Sequence, residues 1–196
     1  MKNNKETGLS MFISGKLFSV KAILLAILLF GILSIESYSQ EKEEVRISPK
    51  ASVKQTVGFT NITIDYGRPG VKGRTIWGNL VPFNAVWRAG ANEATKITFS
   101  TDVKIDGKKL KAGSYSFFAI PGQKTWTLIF NKVADQWGAF EYNDVEDALR
   151  VEVTPMQNNC WQEWLAYTIS KTSDKKAVIM LEWEKLKVPF NVEVEI

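Results

Sequence analysis

The chain is expected to fold as an all-β antiparallel β-sandwich, or a flattened barrel, of about nine to eleven strands. Three observations predict this. Apolar and polar residues alternate at period two along most of residues 48–196, the pattern of half-buried strands. Turn signals built on Gly, Pro and Asp separate these runs at spacings of about 8–15 residues. No part of that span sustains the 3.6-residue period of an amphipathic helix.

Taken in order, the first element is an address rather than structure. Lys2, Lys5, Lys16 and Lys21 precede the uncharged run Ala22–Leu33, and Ser37 and Ser39 follow at −3 and −1 positions. That is the layout of a secretory signal peptide over residues 1–39, cleaved after Ser39. The run is shorter than the roughly 20 residues a membrane-spanning helix needs; an uncleaved anchor is the other reading. Met11 is an alternative start. No Cys follows for lipid attachment. Residues 40–47 read as a charged linker, and 48–196 as one β-sandwich domain.

Val53, Val57 and Phe59 share one parity, Ile62, Ile64 and Tyr66 alternate with Thr63 and Asp65, and Gly58–Asn61 reads as the turn between them. Ile97 and Phe99 form the next short strand. Val103 and Ile105 lead into Asp106-Gly107, a strong hairpin signal, with return through Leu110. Tyr115–Ile120 is apolar on both faces and ends at Pro121-Gly122; Trp126–Phe130 follows. Leu149, Val151 and Val153 alternate with Arg150, Glu152 and Thr154. Trp164–Ile169 and Ala177–Trp183 read as central strands packed on two sides. Val188, Phe190, Val192, Val194 and Ile196 share one parity, and Pro189, which cannot donate to a ladder, argues for an edge strand there.

Composition excludes several chemistries. The chain has no His and one Cys, so Ser-His-Asp and Cys-His catalysis, His-ligated metal and an intrachain disulfide are ruled out. Loss of the leader removes four Lys and two Glu, taking 25 basic and 21 acidic residues to 21 and 19, a net charge of +2. A balance this near neutral sets up no broad field for a phosphate backbone, so no nucleic-acid partner is expected. No membrane span is expected in the mature chain, and no cofactor. Cys160 reads as a buried thiol, alternatively as an exposed one able to pair between chains.

The exception to the strand pattern is Gly67–Gly90, too long to be an ordinary connection; it is either functional or built around short helical turns. Within and just after it lie Arg68, Lys72, Arg74 and Arg88, the indoles of Trp77 and Trp87, and Asn92 and Glu93. The string Arg68-Pro69, Lys72-Gly73-Arg74, Trp77-Gly78, Leu80-Val81-Pro82, Val86-Trp87-Arg88 and Gly90 through Thr95 resembles the signature of a bacterial family called "domain of unknown function 2911". Ala112-Gly113-Ser114-Tyr115, Ile120-Pro121-Gly122, Trp126 through Asn131 and Gln136-Trp137-Gly138 fit its pattern too. The resemblance covers roughly residues 48–195. It implies an exported or envelope protein and supplies no catalytic residues.

Two physical readings of the segment stand side by side. In one, Arg and Trp residues pin a long loop to the sandwich, the indoles plugging one end and Glu93 holding a guanidinium. In the other, Arg68, Lys72, Arg74, Trp77, Trp87, Arg88, Asn92 and Glu93 form a ligand-binding site, with Arg forks for an anion and indole faces for a sugar ring. Elsewhere, Glu141–Asp147 reads as a solvated acidic loop, with Ca²⁺ as the alternative. Trp161 and Trp164 read as core. Trp126 and Trp137 read first as core and second as stacking platforms for a glycan. Lys108, Lys109 and Lys111 read as a charged edge that blocks strand addition.

Functionally, the first reading is a non-catalytic envelope binding module for a small anionic or glycan ligand. The second is a structural or partner-binding envelope protein, recognised by its sheet edges or an aromatic patch. A hydrolase built on Glu93 and a second acid such as Asp65 comes last.

Overall fold

Among the described residues, ten strands make two antiparallel sheets. The computed structural model describes residues 45–195; the expected signal peptide, its cleavage point and Ile196 lie outside them. The strands are β1 (Lys50–Val57), β2 (Thr60–Gly67), β3 (Thr95–Phe99), β4 (Val103–Ile105), β5 (Lys108–Leu110), β6 (Gly113–Ile120), β7 (Trp126–Asn131), β8 (Asp147–Val153), β9 (Met156–Ser173) and β10 (Lys176–Val194). One sheet runs β1-β2-β3-β6-β7-β8 and the other β5-β4-β10-β9. They stack as an open sandwich rather than closing into a barrel.

The inner faces follow the alternation. Ile62 and Ile64 of β2, Ile97 and Phe99 of β3, and Leu128 and Phe130 of β7 are buried against Ile179, Leu181, Phe190 and Val192 of β10. Phe117, Phe130 and Phe190 bring ring centroids within 5.3–6.0 Å across the two sheets. β6 is buried on both faces, as its sequence predicts. Its outward Phe118 joins Ile129 and Ala94 in a second, small apolar cluster with Ala139 and Tyr142.

Local turn chemistry holds where it was strong. Asp106 and Gly107 have φ of 44° and 81°, the left-handed pair that a two-residue hairpin of the right twist requires. The β1–β2 turn is tighter than expected: Val57 pairs with Thr60, so Gly58 and Phe59 alone make the loop, and Phe59 is exposed at its tip. Lys108 and Lys109 lie on β5, an edge strand as expected.

Several expectations need correction. Trp164–Ile169 lies in β9, at the edge of its sheet. It looks two-sided because residues 69–72 cover part of it, with Val71 N–H donating to the Glu163 carbonyl and Leu165 N–H to that of Pro69. The run carrying Pro189 is no edge: it is the second half of β10, which lies between β4 and β9. Pro189 falls past the β9 ladder, which ends at Lys187↔Met156, and before the β4 ladder, which begins at Val192↔Ile105, so its missing N–H breaks no bond in either. Trp161 is exposed and Trp164 half-buried, and Cys160 is exposed as a free thiol. Segment 68–94 is held by isolated bridges rather than helical turns. The short helical element sits instead in the acidic stretch, a 3-10 turn at Asp144–Glu146 capped by Asn143.

Candidate functional site

The long segment crosses itself where it leaves β2 and re-enters β3. A Cβ at Gly67 would collide with the Ala91 carbonyl, so only glycine allows the two passes to approach. Between them the segment touches three places. Gly70 bridges Trp164 of β9, Trp87 bridges Ala119 of β6, and Glu93 bridges Trp137 in the β7–β8 connection.

These contacts divide the eight expected site residues into three groups. Trp77 and Trp87 insert between the sheets and meet Trp126 of β7 and Trp183 of β10. Trp77 sits 4.9 Å from Trp126 and 5.8 Å from Trp183, and Trp87 stacks on Trp183 at 6.0 Å and 16°. Four indoles thus close that end of the core, with the Trp77 Nε1 buried and lacking an acceptor. Arg68, Lys72 and Arg74 gather against β9. Arg68 Nε donates to the Leu165 carbonyl at 2.9 Å, and Arg74 Nε and Nη2 donate to the carbonyls of Val71 and Gly70 at 3.0 and 2.5 Å. The Lys72 ammonium lies 5.6 Å from the Trp164 ring centre, within cation–π range. In these positions the guanidinium groups are spent on backbone carbonyls of β9 and of the segment itself.

Arg88, Asn92 and Glu93 form the third group, on the outer face of the six-stranded sheet. Asn92 Nδ2 donates to the Ser48 carbonyl at 3.4 Å, and its own carbonyl accepts from Gly138 N–H at 3.0 Å. Arg46 grips Glu93 with both ends of its fork, at 2.7 and 2.8 Å, and Lys50 stands 3.4 Å away. The Arg46 hydrogen bonds hold the Glu93 carboxyl well below its ordinary range, at about 2. A carboxyl so acidic is a poor proton donor or acceptor near neutral pH, which removes the main acid–base candidate of the hydrolase reading.

Beside this group lies a cleft of about 800 Å³. Its floor is the outer surface of β1, β2 and β3, and its far wall is the β7–β8 connection from Ala134 to Trp137. The floor follows from strand register. Ser52 pairs with Asp65, and Asp65 with Lys96, so their outward side chains line up in one row. Lys50, Asp65, Glu93, Lys96 and Asp135 give the cleft both charge signs, and Ala94 and Trp137 give it apolar surface. Lys96 donates to Asp135 at 2.9 Å, which ties floor to wall and raises the lysine's pKa. Trp137 stands at the rim with 59% of its surface exposed.

The wall is fixed from beneath. Gln136 Nε2 lies within 2.8–3.2 Å of the Val133 carbonyl, Ser116 Oγ and Asn131 Oδ1. Asn131 Nδ2 donates to the Asn143 carbonyl and to Asp147 Oδ1 at 2.9 Å each. Asp147 also accepts from Tyr142 Oη and Arg150 Nε, at 2.7 Å each. The last acid of the acidic stretch is therefore committed to protein partners.

Of the eight expected residues, Glu93 alone lines the cleft, and Arg88 and Asn92 stand beside it. Sequence reasoning placed Trp137 first in the core, and it did not single out Lys50, Lys96, Asp135 or Gln136. One signal pointed there: Gln136-Trp137-Gly138 belongs to the string that resembles the family signature. The family model described as "Protein of unknown function (DUF2911)" matches residues 48–192. The chain belongs to the DUF2911 family. The match takes in every cleft residue, while Arg46, which clamps Glu93, precedes it. No curated protein and no solved structure matches the chain.

Proposed function

We propose that this DUF2911 chain is an exported, non-catalytic binding protein of the bacterial envelope, and that its cleft takes a small glycan. One observation carries the reading: an indole more than half exposed stands at the rim of a cleft of about 800 Å³ whose polar groups are side-chain ammonium, carboxylate and hydroxyl. Small-ligand sites span roughly 300–1,000 Å³ and combine apolar ground with a few placed polar groups. Indole faces suit the C–H faces of sugar rings, and the mixed charges of Lys50, Asp65, Lys96 and Asp135 suit hydroxyl groups, which both donate and accept. The wall is braced before any ligand arrives, which lowers the ordering cost of binding. Export is supported by the basic, apolar and small-residue succession of residues 1–39.

The test is a titration of simple sugars against the indole signals, by fluorescence and by the Trp Nε1–H resonances. Binding is expected to move Trp137, and Trp137→Ala is expected to abolish it without lowering thermal stability. Sugars that leave the Trp137 resonance still, or that bind Trp137→Ala as well as wild type, would refute the proposal.

A second reading, a partner-binding envelope protein, is favoured by one feature: Met156, Cys160 and Trp161 are exposed together at the start of β9, an edge strand. Such an edge can accept a strand from another chain.

A further inference from the structure

We infer that Arg88 is an anion subsite at the rim of the cleft, and that the glycan bound there is acidic, carrying a carboxylate on the sugar. This rests on the cleft reading above and narrows it to a ligand class. The chain's other four arginines all have acceptors. Arg46 holds Glu93, Arg68 the Leu165 carbonyl, Arg74 two loop carbonyls, and Arg150 Asp147 and the Tyr142 hydroxyl. Arg88 is half-buried, its Nε is wholly buried, and among the described residues its guanidinium has no acceptor. Taking a guanidinium out of water without a counter-charge is unfavourable. Of the three carboxylates around the cleft, Glu93 is held by Arg46 and Lys50, Asp135 by Lys96, and Asp65 faces Lys96 on the neighbouring strand.

The position is rigid. Trp87, one residue before, bridges Ala119; the Arg88 carbonyl accepts from Thr95 N–H; and the Ala89 carbonyl accepts from Thr95 Oγ1 and Tyr167 Oη. The guanidinium lies against Gly138, where a Cβ would stand 2.7 Å from Nη1 and where φ is 71°. Gly138 directly follows Trp137, so the guanidinium rests on the stretch of chain that also carries the indole. With Nε buried, the Nη edge of the planar fork is the one that matches a carboxylate. The three acids around the cleft select against a more highly charged ligand.

The experiment compares methyl glycosides of glucose, galactose and mannose with those of the matching uronic acids, which differ only in carrying a carboxylate at C6. Dissociation constants are measured, and the Arg88 Nε–Hε and Trp137 Nε1–H resonances are followed together. At least one uronate is expected to bind tenfold or more tighter than its neutral partner and to move both resonances. Arg88→Gln is expected to bring that uronate down to its neutral partner's affinity and leave the neutral sugar unchanged. Neutral sugars and uronates that bind alike, with Arg88 Nε–Hε unmoved, overturn the inference while the cleft reading survives. No movement of Trp137 with either set overturns both. The wild-type comparison decides the matter even where Arg88→Gln folds poorly.

Discussion

Trp126 and Trp137 carry the same side chain into opposite surroundings. Trp126 is 1% exposed and touches both Trp77 and Trp87; Trp137 stands in solvent. Trp126→Ala is expected to destabilise the fold by about 3–5 kcal/mol, the usual cost of emptying a large aromatic site. Trp137→Ala should stay within about 0.5 kcal/mol of wild type, as exposed substitutions do. Urea midpoints of the two variants check the contrast, and a large loss for Trp137→Ala would mean that the indole braces the wall rather than serving a ligand. The core role of Trp126 was legible in the sequence, and the exposure of Trp137, read first as core, was not. Trp126 opens a run that reads plainly as a strand, whereas the exposure of Trp137 depends on what the β7–β8 connection packs against. The plug formed by Trp77 and Trp87 was one of two open readings, and the structure places both indoles in it.

At the scale of elements, β10 shows how one strand can serve two sheet neighbours. Ala177, Ile179, Leu181 and Trp183 are buried on odd positions, Val188, Phe190, Val192 and Val194 on even ones. The change of parity falls at Glu184, whose φ is 56° and where the register with β9 shifts on both sides. A bulge there turns the second half of the strand back towards the core. Deleting Lys185 is expected to abolish soluble folded protein, because it turns four core side chains outward. Glu184→Gly should be neutral or stabilise by about 1 kcal/mol, since glycine carries no left-handed penalty. Soluble yield and urea midpoints test both, and a well-folded Lys185 deletion would disprove the account. The two halves of β10 were each legible as strands, because alternation is local. Their continuity was not, since the break in parity resembles a turn, and Pro189 suggested an edge that only strand pairing could correct. The Asp106-Gly107 hairpin was legible because its turn residues determine its geometry without help from elsewhere.

Over the whole molecule, stability is expected to fall at both ends of the pH scale for identifiable reasons. Glu93 titrates at about 2 when folded and near 4.5 otherwise. The unfolded chain therefore takes up the proton first, and the Glu93 contribution is lost as pH falls from about 4.5 to 2. Tyr142 behaves in the opposite sense. Burial, then its hydrogen bond to Asp147, raises its pKa from 10.0 to about 12, so its contribution is present below pH 10 and lost as pH rises from 10 to 12. Glu93→Gln should flatten the acid limb and Tyr142→Phe the alkaline one, each leaving the other in place. Urea unfolding across pH measures this, and an unchanged limb in either variant would count against the assignment. The cleft was hidden from sequence for a reason of scale. Its walls come from β1, β2, the end of the long segment and the β7–β8 connection, and the Arg46–Glu93 contact joins residues 47 positions apart.

Arg46 sits two residues ahead of the family's common span. A chain trimmed to begin at residue 48 would keep every strand and lose that clamp. Glu93 would then keep only Lys50 as a cationic neighbour, its carboxyl would return towards ordinary acidity, and the surroundings of the recess would lose one positive charge. What the recess tolerates as a guest is therefore set partly by a tail that contributes nothing to the sheets, and relatives that differ in their first residues should differ in selectivity while sharing one framework.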